Sequence, residues 1–207
     1  MLKIYGYAAS INVRKVLWVC DELGLPFDRE DWGGGYRPTT DPRFKALNSA
    51  GMVPVISDDG VVVWESNTIV RYLATSRGRS DLLPVQPAAR AQVEQWMDWQ
   101  GSDFNNSWRV AFQGLVRKNP AFQDPQAIEE SLRQFSAMVG IVDAQLGRTG
   151  AYIGGDDFTV ADIAIGLSLR RWHSIPVTRP LYPNVERYYE LLLVRGGFQR
   201  YGRDGGS

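Results

Sequence analysis

The sequence has very few of the residues that form disulfides and metal sites. Its 207 residues include one cysteine, Cys20, and one histidine, His173. A single cysteine cannot form an intramolecular disulfide, and this composition is typical of a reducing compartment. One cysteine and one histidine are also too few for a zinc site of ordinary composition. We therefore expect a protein with no bound metal.

The chain also lacks an excess of charge of either sign and lacks long apolar runs. Lys plus Arg and Asp plus Glu number 23 each, so the formal net charge is zero. Nucleic acids and anionic membranes attract proteins with a basic excess, so we expect neither as a partner. No apolar run approaches the roughly 18 residues of a membrane helix, and no basic and apolar leader opens the chain. These absences predict a cytoplasmic protein.

Strand and helix patterns alternate over the first eighty residues and then give way to helical patterns alone. An alternating pattern at 2–5 indicates a strand, and apolar residues at helical spacing follow over 12–23. The predicted fold class is α+β. We predict a mixed domain over residues 1–79, a proline-containing linker over 80–87 and an all-helical domain over 88–207.

The segment from Val53 to Ser66 carries the most specific pattern in the chain. Pro54 opens a short strand, an Asp-Gly turn connects it to a second strand, and Glu65-Ser66 opens a helix. Proline adds no N–H to a ladder, so the main chain beside it at Val53 is open to an extended peptide ligand. A serine at a helix start offers its hydroxyl and an N–H to an anion. The pattern predicts a peptide-binding site with a pocket for a carboxylate.

Val53-Pro54, then Glu65-Ser66, then an apolar helix resembles the glutathione-binding half of the cytosolic glutathione transferases, in particular bacterial theta-like members of the serine or asparagine type. The resemblance implies a thioredoxin-like first domain, of order βαβ–αββα with a mixed four-stranded sheet. In that family the proline is cis, and the residue before it pairs with the cysteinyl part of glutathione. The resemblance therefore assigns Val53 and Pro54 to the cysteinyl part of glutathione, and Glu65 and Ser66 to its γ-glutamyl end.

A glutathione transferase needs a hydrogen-bond donor that stabilises the thiolate, because only the thiolate attacks electrophiles. Theta-like relatives carry Ser-x-Pro-x-Arg at the turn before the first helix. Ser10 and Arg14 match this pattern, while Asn12 replaces the proline. Some relatives use an asparagine at this turn, so Ser10 and Asn12 are both candidate catalytic donors. Either residue could instead merely cap the helix, and Tyr7 is a third, weaker candidate.

The remaining site residues concern the glycyl carboxylate of glutathione and the second substrate. Arg37 is the nearest candidate for the glycyl carboxylate of glutathione, with Lys45 as an alternative, and either charge could simply be solvated. The resemblance places the second substrate against the first helix of the second domain, across the domain interface. Aromatic residues there are mostly expected to pack, and we assign Trp108, Arg109 and Phe112 to the pocket.

The resemblance implies an enzyme that uses glutathione as co-substrate and joins its sulfur to a small, soft electrophile, as in detoxification. It also implies a homodimer. A glutathione-dependent isomerase, dehalogenase or peroxidase would use the same thiolate, and a non-catalytic glutathione-binding or stress protein could share the fold. Thr159 and Asp162 have the spacing of a capping box, which predicts the start of a buried helix. This feature extends the resemblance to nearly the whole chain.

Overall fold

The structure is a computed structural model, and it describes residues 1–202. The described chain forms two compact units. One unit contains Met1–Leu83 together with the described residues from Gly196 onward, and the other contains Pro84–Arg195. The boundary between Leu83 and Pro84 falls inside the segment predicted as a linker.

The first unit is built on a mixed four-stranded sheet. Its strands are β1 (Leu2–Tyr5), β2 (Phe27–Glu30), β3 (Val55–Asp58) and β4 (Val61–Trp64). The strand order is β2-β1-β3-β4. β1 is parallel to β2 and antiparallel to β3, with Ile4 opposite Ile56, and β3 and β4 form the predicted hairpin. The predicted thioredoxin-like order and the edge position of β2 are confirmed.

Three helices lie between or directly after these strands in the chain: α1 (Ile11–Leu23), α2 (Pro42–Leu47) and α3 (Ser66–Ser76). Every residue of α1 from Val13 to Cys20 is buried. The helix ends at Gly24, whose φ of 61° lies in the left-handed region that glycine adopts readily. Cys20 is fully buried, and burial raises the pKa of its thiol to about 12. A thiol that is buried and protonated in this way is a poor nucleophile, and Cys20 is part of the packed core of α1.

The last described helix packs on the first unit, whereas the sequence places residues 88–207 in one helical domain. Helix α10 (Gly196–Tyr201) follows the six α-helices of the second unit in the chain but lies against α1. The rings of Trp18 and Phe198 are 5.2 Å apart. A Cβ on Gly197 would lie 2.1 Å from the Trp18 ring, so the glycine permits this approach. The predicted domain boundary is wrong here because burial of Phe198 depends on a distant surface. Residues 203–207 of the predicted domain lie outside the described residues.

The second unit is helical, as predicted. Its α-helices are α4 (Pro87–Trp99), α5 (Asn105–Ser107), α6 (Arg109–Ala111), α7 (Pro125–Thr149), α8 (Val160–Ser174) and α9 (Pro183–Leu193). The helical pattern over 88–116 forms no single α-helix, because π-helical turns occupy Gln100–Phe104 and Phe112–Val116. Such turns insert one residue into the helical repeat and occur often at functional sites.

Helix α8 forms the buried centre of the second unit and begins at the predicted box. Asp162 accepts hydrogen bonds from the N–H of Thr159 at 2.7 Å and the N–H of Ile153 at 2.9 Å. The hydroxyl of Tyr188 donates to the same carboxyl group at 2.8 Å. Burial raises the pKa of Asp162. The predicted capping box is confirmed, and it also ties α8 to α9.

Residues 1–202 contain neither a membrane-spanning helix nor a cluster of metal-binding side chains. None of its helices combines the length and hydropathy needed to cross a membrane. Within residues 1–202, no three or more His, Cys, Asp and Glu side chains lie together as a group that could hold a metal ion.

Candidate active site at the start of helices α1 and α3

The peptide bond between Val53 and Pro54 is cis. Val53 is partly buried against a core cluster of Trp32, Phe44 and Val55. The ladder between β1 and β3 begins at Val55, so Val53 lies outside it. Within the described residues, no backbone hydrogen bond occupies its N–H or carbonyl. The main chain at Val53 is therefore placed as a peptide ligand would require.

The turn between β1 and α1 approaches this segment closely through Gly6. Its φ is 152°, and a Cβ at this position would lie 2.5 Å from Cγ2 of Val13 and 3.2 Å from Cβ of Val53. Arg29 donates to the Gly6 carbonyl at 3.1 Å, and Arg14 donates through Nε to the carbonyl of Ala8 at 2.9 Å. The absence of a side chain at Gly6 and the hydrogen bonds from Arg29 and Arg14 thus fix the backbone path of the turn before α1.

Glu65 and Ser66 lie at the start of α3, as predicted. Glu65 is the N-cap residue, and its φ of 71° lies in a region that non-glycine residues rarely occupy. Its carbonyl accepts the helical hydrogen bond from Ile69 at 2.8 Å. Ser66 is buried, while the Glu65 side chain is exposed. Backbone strain of this kind accumulates at binding sites, where it aims side chains and N–H groups at a ligand.

Neither candidate thiolate donor caps α1 with its side chain among the described residues. Ser10 is the N-cap residue of α1, and its carbonyl accepts from Arg14 N–H at 2.9 Å. Its side chain makes no cap hydrogen bond within the described part of the chain. Asn12 lies in the first turn and accepts through Oδ1 from the Ser66 hydroxyl at 3.3 Å. The Nδ2 amide is the donor group of this side chain.

Lys15 is a site residue that the sequence reasoning missed. Its ammonium donates to Oδ1 of Asn67 at 3.1 Å and to Oγ of Ser66 at 3.5 Å. The residue is 2% exposed. Burial lowers the pKa of Lys15 to about 7, although the charge of Glu65 acts to raise it. One signal was present: Lys15 directly precedes the apolar run from Val16 to Cys20 in α1, three residues after Asn12.

The structure pairs Arg37 with Glu30. The Nη1 atom of Arg37 lies 2.6 Å from Oε2 of Glu30, and Lys3 lies 2.8 Å from the other carboxylate oxygen. The hydrogen bond from Lys3 is the main cause that lowers the pKa of Glu30. Lys45, the alternative, donates to the carbonyl of Ser49 at 2.8 Å. Glycyl carboxylate binding by Arg37 remains a prediction, and it would require this guanidinium to share its charge between two carboxylates.

Tyr7 lies against the glycine-rich loop that follows β2. A Cβ on Gly34 would meet its ring at 2.7 Å, and the ring of Tyr36 is 6.4 Å away. Nothing in these contacts directs the hydroxyl of Tyr7 toward Asn12 or Ser66, so Tyr7 stays the weakest donor candidate.

The predicted second-substrate residues differ in exposure. Trp108 and Phe112 are buried and pack edge to face with ring centroids 5.7 Å apart, while Arg109 is exposed. The guanidinium of Arg171 lies 3.7 Å from the centroid of the Phe112 ring. Assignment of Trp108, Arg109 and Phe112 to a pocket remains a prediction.

A separate groove of about 330 Å³ lies in the second unit, lined by Gln95, Trp96, Trp99 and Ile141. The rings of Trp96 and Trp99 meet edge to face at 5.5 Å. The sequence assigned both rings to packing, and the structure leaves each partly accessible along this groove.

The chain matches models of two protein domains. Residues 9–76 match the glutathione S-transferase N-terminal domain, and residues 125–191 match the glutathione S-transferase C-terminal domain. These ranges include the starts of α1 and α3 and the whole of α7 and α8.

Three relatives illustrate the similarity over the full length. Glutathione S-transferase GstB of Escherichia coli strain K12 is 37% identical over 197 residues, which is 94% of each chain. Glutathione S-transferase 3 of Zea mays is 33% identical over 96% of this chain and 92% of its own. The crystal structure of a theta class glutathione S-transferase from Xanthomonas axonopodis pv. citri with glutathione bound is 37% identical. It aligns with a TM-score of 0.90 over 97% of this chain and 96% of that one. The chain belongs to the glutathione S-transferase family.

Proposed function

We propose that the protein is a glutathione S-transferase that binds glutathione at the first turns of α1 and α3. The observation that carries the proposal is the meeting of Asn12 and Ser66, whose side chains are hydrogen bonded at 3.3 Å. This contact brings the candidate thiolate donors next to the candidate γ-glutamyl pocket. The main chain at Val53, which has no backbone hydrogen bond among residues 1–202, is proposed to bind a second part of the same peptide ligand.

Catalysis in this proposal is stabilisation of the glutathione thiolate. An unperturbed thiol has a pKa of about 8.5, and lowering it by roughly two units requires about 2.7 kcal/mol of preferential interaction with the anion. A hydroxyl or amide hydrogen bond to an anion, near a helix N-terminus, supplies an effect of this size. Ser10 and Asn12 are the alternative donors, and the side chain of Ser10 makes no cap hydrogen bond among the described residues.

The thiolate then attacks a soft electrophile. In a substitution, the C–S bond forms while the leaving group departs with the bonding electron pair. In an addition, the C–S bond forms and the resulting carbanion takes up a proton. No further base is needed, because the thiol proton has already left to solvent. The rate gain comes from thiolate population and from proximity of the two substrates.

The electrophile is proposed to bind beside Trp108 and Phe112, with Arg109 available for an anionic substituent. Support comes from the π-helical turn at Phe112–Val116 and from the exposed position of Arg109. Arg109→Gln should raise KM for a carboxylated electrophile and leave KM for a neutral one of the same ring unchanged. Equal effects on both electrophiles would remove Arg109 from the pocket.

The protein is further proposed to be a cytoplasmic homodimer. Apolar side chains are exposed along the hairpin of the first unit, namely Val61, Val62 and Trp64, and Met52 is exposed shortly before it. Large exposed apolar surfaces commonly mark association sites. Light scattering coupled to gel filtration should give twice the chain mass of 23.2 kDa. Trp64→Lys is expected to shift the protein toward the monomer.

A pH titration of bound glutathione in the ultraviolet tests the proposed function. Thiolate absorbance should appear at lower pH with the wild-type protein than in free glutathione, and the Ser10→Ala, Asn12→Ala double variant should lose this difference. Turnover of an aryl halide should fall in parallel. Bound glutathione with an unshifted thiol would instead indicate a binding protein, and absence of binding would refute the proposed function altogether.

A further inference from the structure

Lys15 holds a position that is unusual for a lysine. It lies within the buried stretch of α1 and is 2% exposed, although a lysine is rarely buried without a reason for its charge. Its ammonium lies directly behind the first turn of α3 and donates to Ser66 Oγ and Asn67 Oδ1. Ser66 and Asn67 are neutral side chains, so these two hydrogen bonds bring no countercharge.

Glu65 and Arg71 act on this ammonium in opposite directions. Glu65 precedes the two partners, and its charge favours the protonated form of Lys15. The charge of Arg71, one turn after Asn67 in α3, disfavours the protonated form of Lys15. The Glu65 side chain is exposed and makes no ion pair with Lys15 among the described residues. Burial outweighs the attraction of Glu65 and lowers the pKa of Lys15 to about 7.

We infer that Lys15 is a positioning residue for the carboxylate at the γ-glutamyl end of the ligand, acting through Ser66 and Asn67 from behind the pocket. The inference rests on the proposed function. A carboxylate at the start of α3 meets the partial positive charge of a helix N-terminus, equivalent to about half an elementary charge. Lys15 supplies the remaining countercharge. Its hydrogen bond to Ser66 Oγ also fixes the position of that side chain at the start of α3.

Thermodynamic linkage gives the arrangement a measurable consequence. A ligand anion beside the ammonium favours its protonated form, so binding near neutral pH should draw a proton onto Lys15. Reciprocally, protonation of Lys15 should strengthen binding of the anionic ligand. A lysine that merely filled space in α1 would show neither effect.

The test uses a matched pair of ligands with blocked thiols, so that thiol ionisation cannot contribute. S-methylglutathione carries the γ-glutamyl carboxylate, and its analogue with γ-aminobutyryl in place of γ-glutamyl lacks it. Calorimetric titrations compare the wild-type protein with Lys15→Met and with Lys118→Met, a control at an exposed lysine. The wild type and the control should prefer S-methylglutathione strongly. Lys15→Met should reduce that preference about tenfold and change binding of the analogue less than twofold.

A pH series provides the second readout. Between pH 6 and 9, affinity of the wild type for S-methylglutathione should fall more steeply with rising pH than affinity of Lys15→Met does. The ligand amino group titrates identically in both proteins, so the difference between the slopes belongs to Lys15. Proton uptake on binding at pH 7, measured in buffers of different ionisation enthalpy, should also be smaller in the variant.

Lys15→Gln repeats the comparison with a polar side chain in case Lys15→Met fails to fold. An equal loss of affinity for both ligands in a folded variant would overturn the inference and assign Lys15 a structural role. An unchanged pH dependence of the affinity would do the same. Failure of the wild-type protein to bind S-methylglutathione would overturn the proposed function as well. The two failures are therefore distinguishable in one set of titrations.

Discussion

The side-chain oxygen of Asn12 accepts a hydrogen bond from the hydroxyl of Ser66 at 3.3 Å, although the residues are 54 positions apart in the chain. Asn12 comes from the first turn of α1, and Ser66 is the first residue of α3. The contact joins the two ends of the proposed glutathione site. It also orients the asparagine amide and so bears on which residue donates to the thiolate.

Ser66→Ala should weaken glutathione binding about tenfold, or roughly 1.4 kcal/mol, because a buried donor to the ligand carboxylate is lost. Calorimetric titration with glutathione measures the change. Ser76→Ala is the matched control, since Ser76 ends the same helix and its hydroxyl donates only to the carbonyl of Leu73 at 3.3 Å among the described residues. Unchanged affinity in Ser66→Ala would contradict its assignment to the γ-glutamyl end.

Ser10→Ala should raise the pKa of the bound glutathione thiol more than Asn12→Ala does, and ultraviolet titration of the bound thiolate gives both values. Ser10→Ala should leave the free energy of unfolding within about 0.5 kcal/mol of the wild type, because the Ser10 side chain makes no cap bond in the described structure.

Asp124→Ala provides the contrast for this stability measurement. Asp124 is also an N-cap residue, but its carboxylate accepts from Gln126 N–H at 3.0 Å, so its removal should cost about 1 kcal/mol. A larger loss of stability in Ser10→Ala than in Asp124→Ala would show that Ser10 is a cap rather than a donor. A larger thiol shift in Asn12→Ala would transfer the catalytic role to Asn12.

Lys15 should make stability depend on pH in a defined direction. Burial depresses its folded-state pKa to about 7, against 10.5 for an ordinary lysine, so the unfolded chain binds more protons between these values. The wild type should therefore gain stability relative to Lys15→Met as pH rises from 7 to 10, by at most about 1.4 kcal/mol per pH unit.

Urea unfolding of the wild type and Lys15→Met at several pH values in this range checks the prediction. Lys118→Met should run parallel to the wild type throughout, because that side chain is exposed. Parallel curves for Lys15→Met would mean that Lys15 keeps an ordinary pKa in the folded protein.

Gly6→Ala should destabilise the protein by about 1–3 kcal/mol more than Gly155→Ala. The two glycines have nearly the same φ, 152° and 148°, so the part of the alanine strain that depends on φ is matched. A Cβ at Gly6 would lie 2.5 Å from Val13, whereas no heavy atom lies within 4 Å of one at Gly155. Denaturant unfolding of both variants isolates the cost of the close approach. An equal loss of stability in Gly6→Ala and Gly155→Ala would show that the turn before α1 can shift to accommodate the added Cβ.

Local patterns in the sequence were sufficient for much of the fold and the framework of the site. The Asp-Gly hairpin, the Thr159–Asp162 box and the order of Val53-Pro54 and Glu65-Ser66 each depend on residues close together in the chain. Their physical causes are equally local: backbone conformation at a turn, a missing N–H at proline, and unpaired N–H groups at a helix start. Such features can be identified without knowing what packs against them.

Tertiary structure alone decided which distant groups meet. The helical pattern of α10 does not reveal that Trp18 would bury Phe198, and the charge of Arg37 does not reveal that Glu30 would pair with it. The π-helical turns in the second unit likewise follow from packing rather than from spacing. Lys15 is the clearest case, because its burial and its lowered pKa depend on α3, fifty residues later. Burial and electrostatics are properties of the surroundings in space, and the surroundings of a side chain exist only once the chain has folded.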